Sequence, residues 1–313
     1  MVLEIQGNRE LVLKQYNQSI DDVRQCIDIV LEWMKKQPQI PIDSYDENVL
    51  NRIIESHLIL NKFSIEKTKS KIDLYYACRN YFPEFFDNWD PSTPEIELSL
   101  KTCMYLTLPK VTPDLYRISI VRVFDSNDKN FFVIPYYKTI LMSIQIRYLC
   151  DFTIGENIIF DLRNTTFGYF KQFTLPVMKK AFVILMKAYS ARVGSLHFVF
   201  APSTFNAFLN IMKSIMLPKL QERVFVHKDL ASLHKHFPTE YLPQEYGGTE
   251  PSVEELQEKW IEEFKKHRSY LMNEVKMRTN ESKRMKKLND DTFFGSMHGS
   301  FKKLNVVHTL PQL

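Results

Sequence analysis

The chain is 313 residues long, 44% apolar and 25% charged, with a formal net charge of +4; this is a globular composition with room for one large domain or two. Its eight glycines are few, and none are spaced as Gly-x-Gly-x-x-Gly or as a phosphate-cradling loop, which argues against the usual nucleotide-binding enzymes. The positive charge is local: between Lys276 and Lys287 six Lys/Arg face one acid, Glu281, so that the rest of the chain sums to −1.

The start, Met1-Val2-Leu3-Glu4-Ile5-Gln6-Gly7, has no basic leader followed by an apolar run, so no signal peptide is expected. The first ninety residues read as helices. Ser19-x-x-Asp22 resembles a capping box, with Ile20, Val23, Ile27, Val30 and Met34 on one face before Pro38 and Pro41 end the helix. A second helix is predicted from about Asp46 to Leu60, and a third from near Ser64 towards Tyr81, ahead of Pro83.

Asp90-Pro91-Ser92-Thr93-Pro94 is turn-rich and marks a boundary. Beyond it, Leu115–Phe124, Asn157–Leu162, Leu196–Ala201 and Arg223–His227 are short β-rich runs, with helical stretches at about 136–150, 172–190 and 203–216 between them. Alternating strands and helices predict an α/β layer with a largely parallel or mixed sheet. Lys179-Lys180 interrupts the best candidate for a membrane span, which needs roughly 18 uncharged apolar residues. Cys26, Cys78, Cys103 and Cys150 are scattered without a Cys-x-x-Cys, fitting reduced cytosolic thiols better than a disulfide frame or a zinc site. The chain is helical again from Val253 to Asn273, Ser282–Asn289 reads as loosely ordered, and Lys276–Lys287 is a basic tail.

The stretch from Ser195 to Gly248 is the most distinctive. An apolar strand, Leu196–Ala201, runs into Pro202, and Ser203 is placed to cap a helix carrying Phe205, Phe208, Leu209, Met212, Ile215 and Met216 on one face. Phe and Met together make an adaptable apolar surface, suited to an ordinary core or to a greasy ligand.

Candidate chemistry is sparse. His227, His234 and His236, with Asp229, have the residue types of a metal site, but partly buried or surface histidines are the default. There is no Gly-x-Ser-x-Gly elbow, and nothing selects a nucleophile. Asp161 closes a strand where α/β enzymes often keep an acid, yet a hydrogen-bonding turn residue is the plainer reading. Arg192, Lys219 and Arg223 flank the Phe/Met helix and form either a phosphate-binding cluster or solvated surface charge.

Lys62–Lys69 (Lys-Phe-Ser-Ile-Glu-Lys-Thr-Lys), Leu106-Thr107-Leu108-Pro109-Lys110 and Ile159-Phe160-Asp161-Leu162 are followed by Glu222–His227, His236-Phe237-Pro238 and Leu242-Pro243-Gln244-Glu245-Tyr246-Gly247-Gly248. In this order and spacing, over nearly the whole chain, they resemble the CRAL-TRIO lipid-binding proteins, in the branch of alpha-tocopherol transfer protein and cellular retinaldehyde-binding protein. The ending Phe294-Gly295 … Gly299–Asn305 is similar to arthropod members. The resemblance implies an α/β fold: an N-terminal helical unit (1–90) on a lipid-binding domain (91–250), followed by a C-terminal helix and basic tail (251–313). In that domain a mixed sheet and helices enclose an apolar cavity, and the helix after the third strand, Ser203 to about Met216, is a mobile lid.

The pocket positions it implies are Met142, Phe160, Ile184, Tyr189, Leu196, Phe205, Phe208, Met212 and Met216, all but Tyr189 without a strong polar group. Arg192, Lys219 and Arg223 match three positions of a phosphoinositide-binding cluster, but Ile59 and Asn61 replace residues that are commonly basic or small, so one arm of that site is missing. The expectation is a non-enzymatic cytosolic carrier, peripheral at anionic membranes, that binds one retinoid, tocopherol-like or other terpenoid molecule. It is expected to be monomeric, with no cofactor, metal or nucleic acid. A phosphoinositide transfer protein on the same fold is the alternative, and an interaction module whose large side chains fill the cavity is a third.

Overall fold

In the computed structural model, which describes residue 5 and residues 7–301, local capping chemistry sets the helical unit. Asn8 accepts from the Leu11 amide and starts α1 (Arg9–Gln15). Ser19 and Asp22 close a reciprocal capping box at the head of α2 (Ile20–Lys35), whose buried stripe is Val23, Ile27, Val30 and Met34. Asp46 caps α3 (Glu47–Leu60); α4 (Ile65–Tyr81) and the single turn α5 (Pro83–Phe86) complete the unit.

After Thr93, α6 (Pro94–Thr102) leads into a five-stranded sheet in the order β1-β2-β3-β4-β5. The strands are β1 (Cys103–Val111), β2 (Tyr116–Val123), β3 (Gly155–Asp161), β4 (Val193–Val199) and β5 (Val224–Val226). β1 runs antiparallel to β2 and the others are parallel, so the sheet is mixed, as the alternation of strands and helices predicts. β1 is a strand that the sequence patterning does not reveal. Pro109 interrupts the run, and the β1–β2 register slips between Thr107 and Val111; proline is tolerated there because β1 is an edge strand. The helix read as following the third strand therefore follows the fourth.

The crossovers are α7 (Val133–Cys150), then α8 (Phe167–Gln172) with α9 (Leu175–Val183), and then α10 (Phe205–Ile215) with α11 (Pro218–Gln221). α9 runs on into a π-helical turn at Ile184–Ala188. Beyond β5 lie α12 (Leu230–His234), α13 (Val253–Lys266), α14 (Arg268–Glu274) and α15 (Asp290–Phe301). In the Gly247-Gly248 turn, Gly247 has φ +74°, and a Cβ on Gly248 would run into the Leu242 carbonyl.

One buried carboxylate joins the helical unit to the end of the chain. Glu274 Oε1 accepts from Arg79 Nη2 at 2.9 Å and from the hydroxyls of Tyr45 and Tyr75, each at 2.7 Å. Gln145 of α7 donates to Tyr75 Oη at 2.5 Å. Arg79 lies over the Tyr75 ring, 4.3 Å from its centroid, and donates to the Met277 carbonyl.

The segment read as a loose basic tail is a strap held across the helical unit. Arg284 pairs with Asp73 at 2.6 Å and Arg278 with Asp87 at 2.7 Å, while Tyr81 Oη donates to the Leu288 carbonyl. Arg284 also pairs with nearby Glu281, but Asp73 and Asp87 are distant in sequence, which is why the local charge count alone suggests a free tail. Lys276, Lys283, Lys286 and Lys287 remain exposed.

Removing one partner of a buried pair leaves the other charge uncompensated, at about 3–5 kcal/mol. Arg79→Met is expected to lose that much stability in urea unfolding, and the double variant Arg79→Met/Glu274→Leu to recover most of it.

Candidate functional site

The sheet alternates, and its two faces have different environments. Tyr105, Val121, Phe160 and Phe198 lie in one row across β1 to β4 and face a cavity. Leu106, Ile120, Ile159, His197 and Phe225 form the adjacent row, on the opposite face. The cavity has a volume of about 230 Å³ and is walled by the first row together with α7, α8, α9 and α10.

α10 covers it. Phe205 is buried against Phe198, ring centroids 4.7 Å apart, and Phe208 stacks on Phe170 at 4.8 Å. Met212, Ile215 and Met216 continue the wall, while Ile211, on the outer face, is 47% exposed. The helical period thus places one stripe on the cavity and another in solvent.

Of the nine expected pocket positions, Phe160, Leu196, Phe205, Phe208, Met212 and Met216 are brought together on the cavity wall. Met142, Ile184 and Tyr189 are not on it. Met142 lies two residues from both Ile140 and Ile144, which do line the cavity, and so points to the other side of α7, where it is fully buried. The wall stripe of α9, Met178, Ala181 and Phe182, continues at ordinary helical spacing to Leu185, with Met186 beside it, and leaves Ile184 buried off the wall. Tyr189 packs on Tyr75, Tyr148 and Phe86 at the junction with the helical unit, and its hydroxyl is buried without a partner among the described residues.

Wall residues that sequence reasoning missed include Tyr105, Tyr136, Tyr169 and Phe173. The alternation of Val121 and Val123 along β2 was the available signal for that face. The hydroxyls of Tyr136 and Tyr137 make no hydrogen bond among the described residues, and burial pushes the Tyr136 phenol well above its ordinary pKa, keeping it a neutral donor.

The charged groups at the cavity edge are neutralised. Glu156 pairs with Arg147 at 2.7 Å and accepts from Ser119, and Arg147 also pairs with Asp151 at 2.9 Å. Asp161 Oδ2 accepts from Arg122 at 2.8 Å, Arg163 at 2.6 Å and Tyr246 Oη at 2.6 Å. Burial alone would raise its pKa; the hydrogen bonds from Arg163 and Tyr246, with the Arg122 charge, outweigh burial and hold it below the ordinary value. Asp161 therefore anchors the Tyr246-Gly247-Gly248 turn.

Arg192 and Arg223 stand immediately before the neighbouring parallel strands β4 and β5, and Lys219 lies on α11. Lys219 and Arg223 are exposed, whereas Arg192 donates to Tyr16 Oη at 2.6 Å. Ile59 and Asn61 do not approach solvent: Ile59 is buried, and Asn61 Nδ2 donates to the His57 carbonyl and to Ser190 Oγ. Of the histidines, His227 and His236 come together with His197, while His234 bonds the Tyr246 carbonyl at 2.7 Å.

Residues 102–248 match the CRAL/TRIO domain, and residues 19–96 the Pinta-like UBA domain. The human protein named alpha-tocopherol transfer protein-like is 25% identical over 77% of this chain and 68% of its own. Clavesin-1 of Xenopus laevis is 26% identical over 76% of this chain and 71% of its own. The crystal structure of Sfh5 aligns with a TM-score of 0.44 and 13% identity, over 67% of this chain and 76% of that one. The chain thus carries a CRAL/TRIO domain, preceded by a Pinta-like UBA domain.

Proposed function

We propose that this protein is a monomeric cytosolic carrier that holds one small, weakly polar lipophile in the sheet cavity and hands it between membranes without chemical turnover. The observation that carries this reading is the apolar cavity of about 230 Å³ beneath α10. A void of about 150 Å³ suffices for a benzene-sized guest, so this one takes a longer apolar body, which weighs against a module whose own side chains fill the space. Ten buried methylenes would contribute roughly 8 kcal/mol before entropic costs, enough for useful affinity without chemistry.

The hydroxyls of Tyr136 and Tyr137, on the cavity wall and without a hydrogen bond among the described residues, suit a ligand with a single oxygen acceptor, which fits a retinoid, a tocopherol-like molecule or another terpenoid. The name of the tocopherol-transfer-like relative points the same way. Release requires α10 to move away, and its outer face carries Ile211, with Leu217 just beyond, both half-exposed beside Lys213 and Lys219. Apolar side chains among lysines are suited to an anionic bilayer surface, which would open the lid where the cargo is needed.

Phosphoinositide presentation is the second reading, resting on Arg192, Lys219 and Arg223. It is weakened by Asn61, whose amide is committed to the His57 carbonyl and Ser190. Under it, Arg192→Ala or Arg223→Ala abolishes delivery to acceptor vesicles; under the carrier reading both variants deliver normally to vesicles of unchanged charge.

Phe208→Asp places a charge on the cavity wall and is expected to abolish retention of a lipophile while leaving the far-UV circular dichroism unchanged. Full retention by the folded variant would remove Phe208 from the binding site. Organic extraction of protein from its native tissue, followed by mass spectrometry, is expected to yield one stoichiometric lipophile; an empty extract from folded protein would favour the interaction module.

A further inference from the structure

The strap from Lys276 to Lys287 divides its basic residues by role. Its two arginines are held inward: Arg284 pairs with Asp73 and Glu281, and Arg278 with Asp87. The backbone between them is fixed as well, the Asn280 amide donating to the Gln39 carbonyl at 2.8 Å and Asn80 Nδ2 to the Thr279 carbonyl at 2.8 Å. Past Arg284, the Leu288 carbonyl accepts from Tyr81 Oη at 2.7 Å. Lys276, Lys283, Lys286 and Lys287 are exposed and make no ion pair among the described residues. Met285 stands among them at 89% exposure, the most exposed large apolar side chain of the described residues.

In a free tail such a composition is ordinary solvated charge. Here the arginine pairs and backbone bonds hold the lysines in place, so less ordering entropy is lost on binding than for a flexible segment. An apolar side chain among lysines matches an interface whose outer layer is anionic and whose interior is apolar.

We propose that Lys276, Lys283, Met285, Lys286 and Lys287 form a docking surface for a bilayer carrying anionic head groups, separate from the outer face of α10. The lysines lie among the head groups and Met285 enters between them. Asp290 and Asp291, which open α15, lower the local surplus of charge from four to two, so the apolar contact of Met285 is a needed part of the site. No aromatic side chain stands within residues 276–288 to stack on a base, which favours a bilayer over single-stranded nucleic acid.

The helix that follows gives this docking a consequence. Phe293 is buried against Tyr81 and Phe82, and Lys187 of the π-helical turn donates to its carbonyl at 2.6 Å. From there α15 reaches α10. Twelve residues of helix span about 18 Å, so a strap seated on a bilayer keeps the lid within one helix length of it. Two contacts on one surface bind more tightly than either alone. This consequence rests on the carrier reading; the docking surface does not.

The test is co-sedimentation of the full-length protein with vesicles of phosphatidylcholine alone and of phosphatidylcholine with phosphatidylserine. Binding is expected to be stronger to the serine-containing vesicles and to weaken as salt rises. Each lysine near such a surface is worth about fivefold in affinity, so Lys286→Glu/Lys287→Glu is expected to weaken binding by more than about 25-fold without changing the melting temperature. Met285→Trp, at an exposed position, puts an indole at the centre of the surface. Brominated phosphatidylserine vesicles are expected to quench that variant more than they quench the wild type with its three tryptophans. Equal binding by the lysine variant and the wild type would overturn the proposal, leaving the lysines as solvated charge or as a site for an acidic protein. Quenching of vesicle-bound Met285→Trp no greater than that of the wild type would overturn it equally. The carrier reading fails by a different result, an extract without lipophile, so the two are separable.

Discussion

The buried Glu274 carboxylate is the constraint on which the arrangement of this molecule depends. It accepts from Tyr45, Tyr75 and Arg79, residues that the chain order places some two hundred positions away. A charge removed from water is tolerated only when its partners are complete, so the helical unit, α14 and α7 must assume their places together. Gln145 brings α7 into the same network, and α7 is a wall of the cavity. The shape of the cavity is therefore tied to a polar cluster that does not touch it. Tyr189 belongs to this junction, which accounts for its absence from the cavity wall.

The second organising feature is the alternation of the sheet. One row of side chains, Tyr105 to Phe198, makes an apolar wall; the next, Leu106 to Phe225, packs on the opposite side and carries His197. Charges near the cavity mouth are paired: Glu156 with Arg147, and Asp161 with Arg122 and Arg163. With its carboxylates engaged and its tyrosines neutral, the cavity selects by volume, shape and hydrogen bonding. A carrier has to bind and release without reacting, and a wall of this kind is suited to that.

Local chemistry made much of the fold legible. The Ser19/Asp22 capping box, the prolines that end α2 and the helical stripe of α10 all act within a few residues, so their signals survive in one dimension. β1 was hidden because Pro109 breaks the run that would reveal it, and the proline is acceptable only because the strand is at the edge and bulged. Met142 and Ile184 mislead for a related reason. Which way a helical side chain points depends on phase, and the cavity stripes of these helices run through Ile140 and Ile144 and through Ala181, Phe182 and Leu185, one or two residues away. The basic strap reads as a tail because Asp73 and Asp87, the acids that hold it, lie far back in the chain.

The sequence by itself determined the class of the protein: helices followed by an α/β sheet, with a Phe/Met helix after Pro202. These follow from periodicity, capping and residue type, which are properties of neighbours along the chain. Only the tertiary structure decided that six of the nine expected positions share one cavity, that Tyr136 and Tyr137 line it too, and that His197 joins His227 and His236. Each of these depends on strand register and helix phase between segments far apart in sequence, and long-range packing alone settles both.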